Sequence, residues 1–246
     1  MHKPIIALML GLIASTLAQS KEIVIASINE QTPRLIVSTS IMRQIYQRLG
    51  YEMTVVNYPA KRSLLEVNNG SANGELARAN IIEADNPNLI RIPYAIGIVK
   101  AVVAQKRTDS PIQKLADLKD HRIGILRGFV VAEKMTENVT REVYSDLPAL
   151  FKGLIYDRVD AILFLKIDLE YYIRKHKLEH SLEISNTPFL EIPIYHYLHK
   201  NSANIAKALQ TEIKKMHTSG ELQDLIKAEE NNFIEGARIK AQDKKS

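Results

Sequence analysis

Ile112-Gln-Lys-Leu-Ala-Asp-Leu-Lys-Asp-His-Arg-Ile-Gly-Ile-Leu-Arg-Gly128 sets the rhythm of this chain. Leu115 and Leu118 mark a short helix, Arg122-Ile-Gly-Ile-Leu126 reads as an apolar strand, and Gly128 turns the chain into a helix from Val130 to Glu137. A short apolar strand followed at once by a helix is the repeating unit of layered α/β folds with a largely parallel sheet. Toward the C-terminus the unit recurs: Ser145 caps a helix through Ile155, Val159 to Phe164 is a strand, and Asp168 to Lys177 is a charged helix. Two polar breaks bound this region, Lys106-Arg-Thr-Asp-Ser-Pro111 before it and Ser185-Asn-Thr-Pro188 after it.

The same alternation fills the flanks. Glu22-Ile-Val-Ile-Ala-Ser27 is a strand that runs into a polar loop, Ile28 to Arg34. Ser38 or Thr39 is placed to cap a helix carrying Ile41, Ile45 and Leu49 on one face, with Gly50 as its stop. Tyr51 to Asn57 is strand-like, Pro59 suits the first turn of a helix Ala60 to Val67, and Gly74 to Ala77 is a short strand. Leu89 to Pro93 and Ile98 to Gln105 read as two more strands. After the second break come a strand, Glu191 to His199, and a helix, Asn204 to His217, with Ile205, Leu209, Ile213 and Met216 on one face. Ser219-Gly220 separates it from a last helix with Leu222, Leu225 and Ile226.

The first residues carry an export signal. Met1-His2-Lys3 is a positive start, Ile5 to Leu17 is mostly apolar, and Ala18-Gln19-Ser20 offers small residues for cleavage before Lys21. That apolar run is shorter than the ~20 residues of a membrane span, so residues 1–20 are expected to be a signal peptide and the mature chain soluble in the periplasm. The chain has no cysteine, which excludes disulfides, thiol nucleophiles, thiolate metal sites and a lipid-modified cysteine anchor. Of its net charge of +5, much sits in the tail after Ala237, which reads as a solvated end. No basic stripe interleaves with aromatics and tryptophan is absent, so nucleic acid is not an expected partner and a sugar-stacking site is disfavoured.

Four segments, in order, resemble the family 3 extracellular solute-binding proteins. Tyr58-Pro-Ala-Lys-Arg-Ser-Leu-Leu-Glu-Val-Asn-Asn-Gly70, followed by Gly74-Glu, is similar to the family's Pro-x-x-Arg-x-Leu…Gly…Asp stretch. Ile112 to Gly128 is similar to the segment that leads into the second lobe, Leu150 to Phe164 with Arg158-Val-Asp-Ala161 to a Gly-Arg-Val-Asp-Ala strand, and Glu212 to Leu222 to the closing helix pair. The resemblance implies an α/β, two-lobed type II periplasmic-binding-protein fold, each lobe a mixed, mostly parallel sheet flanked by helices, joined by two hinge strands. Lobe one would comprise residues 21–105 and 191–246, lobe two residues 110–186, with hinge crossings at 106–109 and 187–190. It further implies capture of a small molecule by hinge closure and delivery to an ABC-type permease, or docking to a membrane receptor in a sensing role, by a monomer without a cofactor.

The residues for that ligand follow in part from the resemblance and in part from chemistry. The family's Thr-x-x-Arg segment is not kept, since the residues after Gly74 read Glu75-Leu-Ala-Arg-Ala-Asn-Ile-Ile82, and the place of its amino-group aspartate, five after Asp160, is Leu165. An unpaired buried ammonium is costly, so an ordinary α-amino acid is not the expected ligand; an anionic or zwitterionic molecule is. Arg78 and Arg62 suit a carboxylate by bidentate hydrogen bonding, although Arg62 also reads as a solvated helix residue and Arg78 as a surface partner of Glu75. Arg127-Gly128-Phe129 opens a helix whose N–H groups favour an anion, or is a plain strand-to-helix turn. Tyr58 and Tyr94 could stack on the ligand or simply pack, and Glu30 could meet a cationic group.

Catalysis is not expected. No Ser-His-Asp order, phosphate-cradling loop or His-Glu-x-x-His string is present, and a dehydratase-like enzyme would need Glu75 or Glu30 as its acid. Metal binding is not expected either: His176 and His180 lie in a cationic stretch, and His196 and His199 should point to opposite faces of a strand.

Overall fold

The computed structural model describes residues 21–28, 32–108 and 110–243. The expected signal peptide, residues 1–20, and the candidate Glu30 lie outside the described residues. In chain order the elements begin with strand β1 (Lys21–Ile28), helix α1 (Pro33–Arg48), β2 (Tyr51–Tyr58), α2 (Ala60–Asn68), β3 (Gly74–Arg78), a 3-10 helix (Asn80–Asp85), β4 (Leu89–Arg91) and β5 (Gly97–Lys106). There follow a 3-10 helix (Leu115–Asp120), β6 (Ile123–Leu126), α3 (Val130–Met135), β7 (Arg141–Tyr144), α4 (Leu147–Ile155), β8 (Ala161–Leu165), α5 (Lys166–Lys175) and β9 (Leu182–Ile184). β10 (Leu190–His199), α6 (Ala203–Ser219) and α7 (Glu221–Asp243) complete the chain.

Period-two alternation in the strands builds a core on each face of each sheet. In β1, Ile23 and Ile25 are fully buried against α1, α6 and α7, where Ile41, Met42, Ile45, Leu209, Ile213 and Leu222 meet them. Val24 and Ala26 point the other way, onto Val67 of α2 and Ala72. In the second lobe β5 and β8 repeat the pattern. Val102, Ala104 and Ile162 pack on Leu150, Phe151 and Leu154 of α4 and Leu169 of α5. Ala101, Val103, Ala161 and Leu163 face Leu118, Ile123, Ile125 and Ala132 on the opposite side. Burying one such leucine or isoleucine is worth roughly 1.5–3 kcal/mol, so the four clusters carry the fold.

β1 pairs in parallel with β2 and β3, and β6 in parallel with β7 and β8. The lobes meet along β5 and β10. Gly97–Ala101 runs antiparallel to Leu190–Ile194. Beyond that stretch each strand takes new partners: β5 pairs with β8 and β9, and β10 with β3 and β4. Both sheets are thus mixed. β5 changes partner at Ala101, which pairs with Leu190 of β10 and with Leu165 of β8. α1 starts at Pro33, not near Ser38: proline fixes the first-turn φ and lacks an N–H that would have no partner there. Among the described residues no helix is long and apolar enough to cross a membrane.

Candidate ligand-binding cleft

The carboxyl ends of β3, β6 and β8 converge on one cleft between the lobes, with a volume of about 750 Å³. Ligands of open α/β sheets bind at this place, because the loops and helix starts beyond the strand ends are free to diverge there. Lobe one contributes Arg34 from the first turn of α1, Ala77 to Ala79 at the end of β3, and Ile81 and Ile82 from the 3-10 helix. Lobe two contributes Leu126 to Phe129, Ser145 to Leu147, Phe164, Leu165 and Asp168. Val99, Ile192 and Ile194 of the crossing strands form the floor.

Two hydrogen bonds place the Arg78 side chain. Its Nε donates to Glu75 Oε1 at 2.8 Å and its Nη2 to the Ala60 carbonyl at 3.2 Å, and its side chain is 16% exposed. Glu75 is buried behind it and also accepts from Ser63 Oγ at 2.5 Å. Burial pushes the Glu75 carboxyl above its ordinary value, while Arg78 and Ser63 pull it back. A guanidinium has five N–H donors in a fixed fork, so these bonds orient it and leave donors for a ligand.

The turn Arg127-Gly128-Phe129 reaches the cleft, and its three backbone N–H groups are bonded within the protein. Gly128 N–H donates to Glu133 Oε1 at 3.0 Å, Phe129 N–H to the Leu126 carbonyl at 3.2 Å, and Arg127 N–H to the Tyr144 carbonyl at 2.9 Å. Gly128 has φ +79°, which explains its glycine through turn geometry alone. At the start of α4, Asp146 caps the helix by accepting from Ala149 N–H at 2.8 Å and from Ser145 Oγ at 2.9 Å. These bonds hold its carboxyl below the usual range.

Of the residues proposed from sequence, Arg78, Arg127, Gly128 and Phe129 come together in the cleft, with Glu75 behind Arg78. Arg62 is exposed and paired with Glu66 on the outside of α2. Tyr58 packs beside Ala26, Val67 and Ala72. Tyr94 lies against His217, ring centroids 4.9 Å apart, on the edge of the main core. Arg34, Asp168, Phe164, Ile81 and Ile82 were not picked out by sequence. Asp168 is 1% exposed and stands one helical turn beyond Leu165, so an acidic group does line the cleft. An aspartate in the first turn of the helix after β8 was its only local signal.

No family model matches the chain, and no curated protein does. Solved structures do. An amino-acid ABC transporter substrate-binding protein from Streptococcus pneumoniae, bound to L-arginine, is similar at 18% identity and a TM-score of 0.62, over 87% of this chain and 96% of that one. The GluR0 ligand-binding core in complex with L-glutamate is similar at 14% identity and a TM-score of 0.67, over 85% and 97%. Substrate-binding domain 2 of Lactococcus lactis GlnP, in an open conformation, is similar at 17% identity and a TM-score of 0.63, over 84% and 94%. Two mixed sheets joined by β5 and β10, with a cleft at the strand ends between them, make this chain a two-lobed type II periplasmic-binding fold.

Proposed function

We propose that the protein is a periplasmic solute-binding protein that captures a small anionic or zwitterionic molecule between its lobes. The observation that carries this reading is Arg78, clamped by Glu75 and the Ala60 carbonyl with its guanidinium at the cleft. A preoriented guanidinium binds a carboxylate without first losing side-chain entropy. Lobe one comprises the β1–β4 side and lobe two the β6–β9 side. Rotation about the β5–β10 pair closes them, and the closed form is presented to an ABC-type permease. The similarity to substrate-binding proteins of amino-acid transporters supports the role, and the placement of Asp168 supports a zwitterion.

A thermal-shift screen tests it, using amino acids, mono- and dicarboxylates, phosphorylated compounds, polyamines and nucleobases. A ligand at a hundred times its Kd adds about 2.7 kcal/mol to stability. The expected result is a shift confined to carboxylate-bearing compounds and abolished in Arg78→Ala. A shift from polyamines alone, or one unchanged in that variant, would refute the assignment.

A further inference from the structure

On the lobe-two wall of the cleft, protein carboxylates already occupy two places that would favour an anion. Asp146 occupies the N-terminus of α4, and Glu133 takes the Gly128 N–H. A second ligand carboxylate directed at either place would meet a protein carboxylate already seated there, and like charges at contact are unfavourable. Arg127 is exposed, so its charge is screened by solvent and compensates little. Arg34 and Asp168 also line the cleft, one basic and one acidic residue.

What this wall does present is apolar. Phe129 and Phe164 stand edge to face, ring centroids 5.1 Å apart at 74°, and both line the cleft beside Leu126 and Leu147. Across from them lobe one places Ile81 and Ile82 on the rim, and Ile81 is 82% exposed. Such an isoleucine, opposite two partly buried rings in a concave site, gains by being covered.

We propose that the ligand is a carboxylate with an aromatic or branched apolar body, its head on Arg78 and its body between Phe129–Phe164 and Ile81–Ile82. The inference rests on the reading of the cleft as a site for anions or zwitterions, and goes beyond it by naming which ones. A compact dicarboxylate or a phosphate leaves the rings and Ile81 in water. An apolar body removes both from water and gives closure a contact on each lobe.

Calorimetric titration of the purified protein with matched pairs tests it: phenylacetate against acetate, phenylalanine against alanine, and 4-methylpentanoate against succinate. The expected result is at least tenfold tighter binding of the apolar member in one or more pairs, with no pair reversed. Phe129→Ala should erase the preference, and Phe164→Leu, which keeps most of the packing volume, should reduce it for the aryl pairs. Equal or tighter binding of the small polar members would overturn the inference while leaving the anion reading intact. Absence of binding by every carboxylate would overturn both.

Discussion

His196 is a fully buried titratable side chain. It sits in the lobe-one core, with Tyr46 Oη at 2.7 Å from Nε2 and the Leu76 carbonyl at 3.1 Å from Nδ1. A carbonyl only accepts, so Nδ1 carries the proton and Nε2 accepts from Tyr46, whose hydroxyl is held protonated by burial. Burial lowers the His196 pKa from 6.5 to about 4, against a smaller opposing effect of the Leu76 bond. The unfolded chain takes up this proton below pH 6.5 and the folded one only near pH 4, so stability falls as pH drops through that window. The loss is about 3 kcal/mol once both forms are protonated. Urea denaturation at pH 7.5 and pH 4.5 should therefore show a steeper loss in the native protein than in His196→Gln, which cannot titrate. Nothing local announces this group: its hydroxyl partner is 150 residues away, and the strand pattern reveals only that it faces away from His199.

At the scale of elements, β3 shows why some of the site was legible. Gly74-Glu75 and Arg78 lie on one short strand in the middle of the sheet, so a local motif contains the guanidinium, its carboxylate partner and the glycine that seats the strand. A Cβ on Gly74 would lie 2.3 Å from the Tyr197 carbonyl oxygen and 2.7 Å from the Leu198 side chain. The nearer atom is backbone of β10 and has no rotamer to change. Gly74→Ala should therefore cost roughly 1–3 kcal/mol, at the upper end of that range, read as a lower urea midpoint with an unchanged m-value. Elements with weak patterns were not legible. β7 has an edge position and mostly exposed side chains, β9 has three residues, and the 3-10 helix Asn80–Asp85 buries none of its residues. Ile81 and Ile82 ride on that last element, which is why the apolar rim could not be seen beforehand. Arg34 and Asp168 were hidden differently: each is in the first turn of a helix, where a charged residue ordinarily reads as a surface group.

For the whole molecule, the proposed closure of the cleft bears on what lies behind it. α7 belongs to lobe one, yet it packs along α5 of lobe two, with Phe233 and Tyr171 ring centroids 5.0 Å apart and Arg174 Nη1 at 3.3 Å from Glu235. Among the described residues, none of α7 lines the cleft. Ile226, Glu230 and Ile234 of α7 line a separate cavity of about 110 Å³, which shares Arg34, Val99, Leu165 and Ile194 with the cleft wall. The α5–α7 contact is therefore on the far side of the crossing strands from the ligand. On the proposed closure, a rotation that brings Phe129 toward Arg78 would slide α5 along α7, and these contacts would then favour the conformation described over the closed one. The exposed ion pair contributes little, and the aromatic contact is the larger share. Phe233→Ala should thus shift the lobes toward the closed state and tighten ligand binding several-fold, because the variant gives up less stability when closed than when open. Calorimetry reads the affinity, and small-angle scattering reads the shape. A smaller radius of gyration without ligand, together with a lower Kd, is the expected pair of results. Weaker binding with an unchanged radius would place the α5–α7 contact among those that survive closure, and the hinge would then have to turn about an axis that keeps the two helices together.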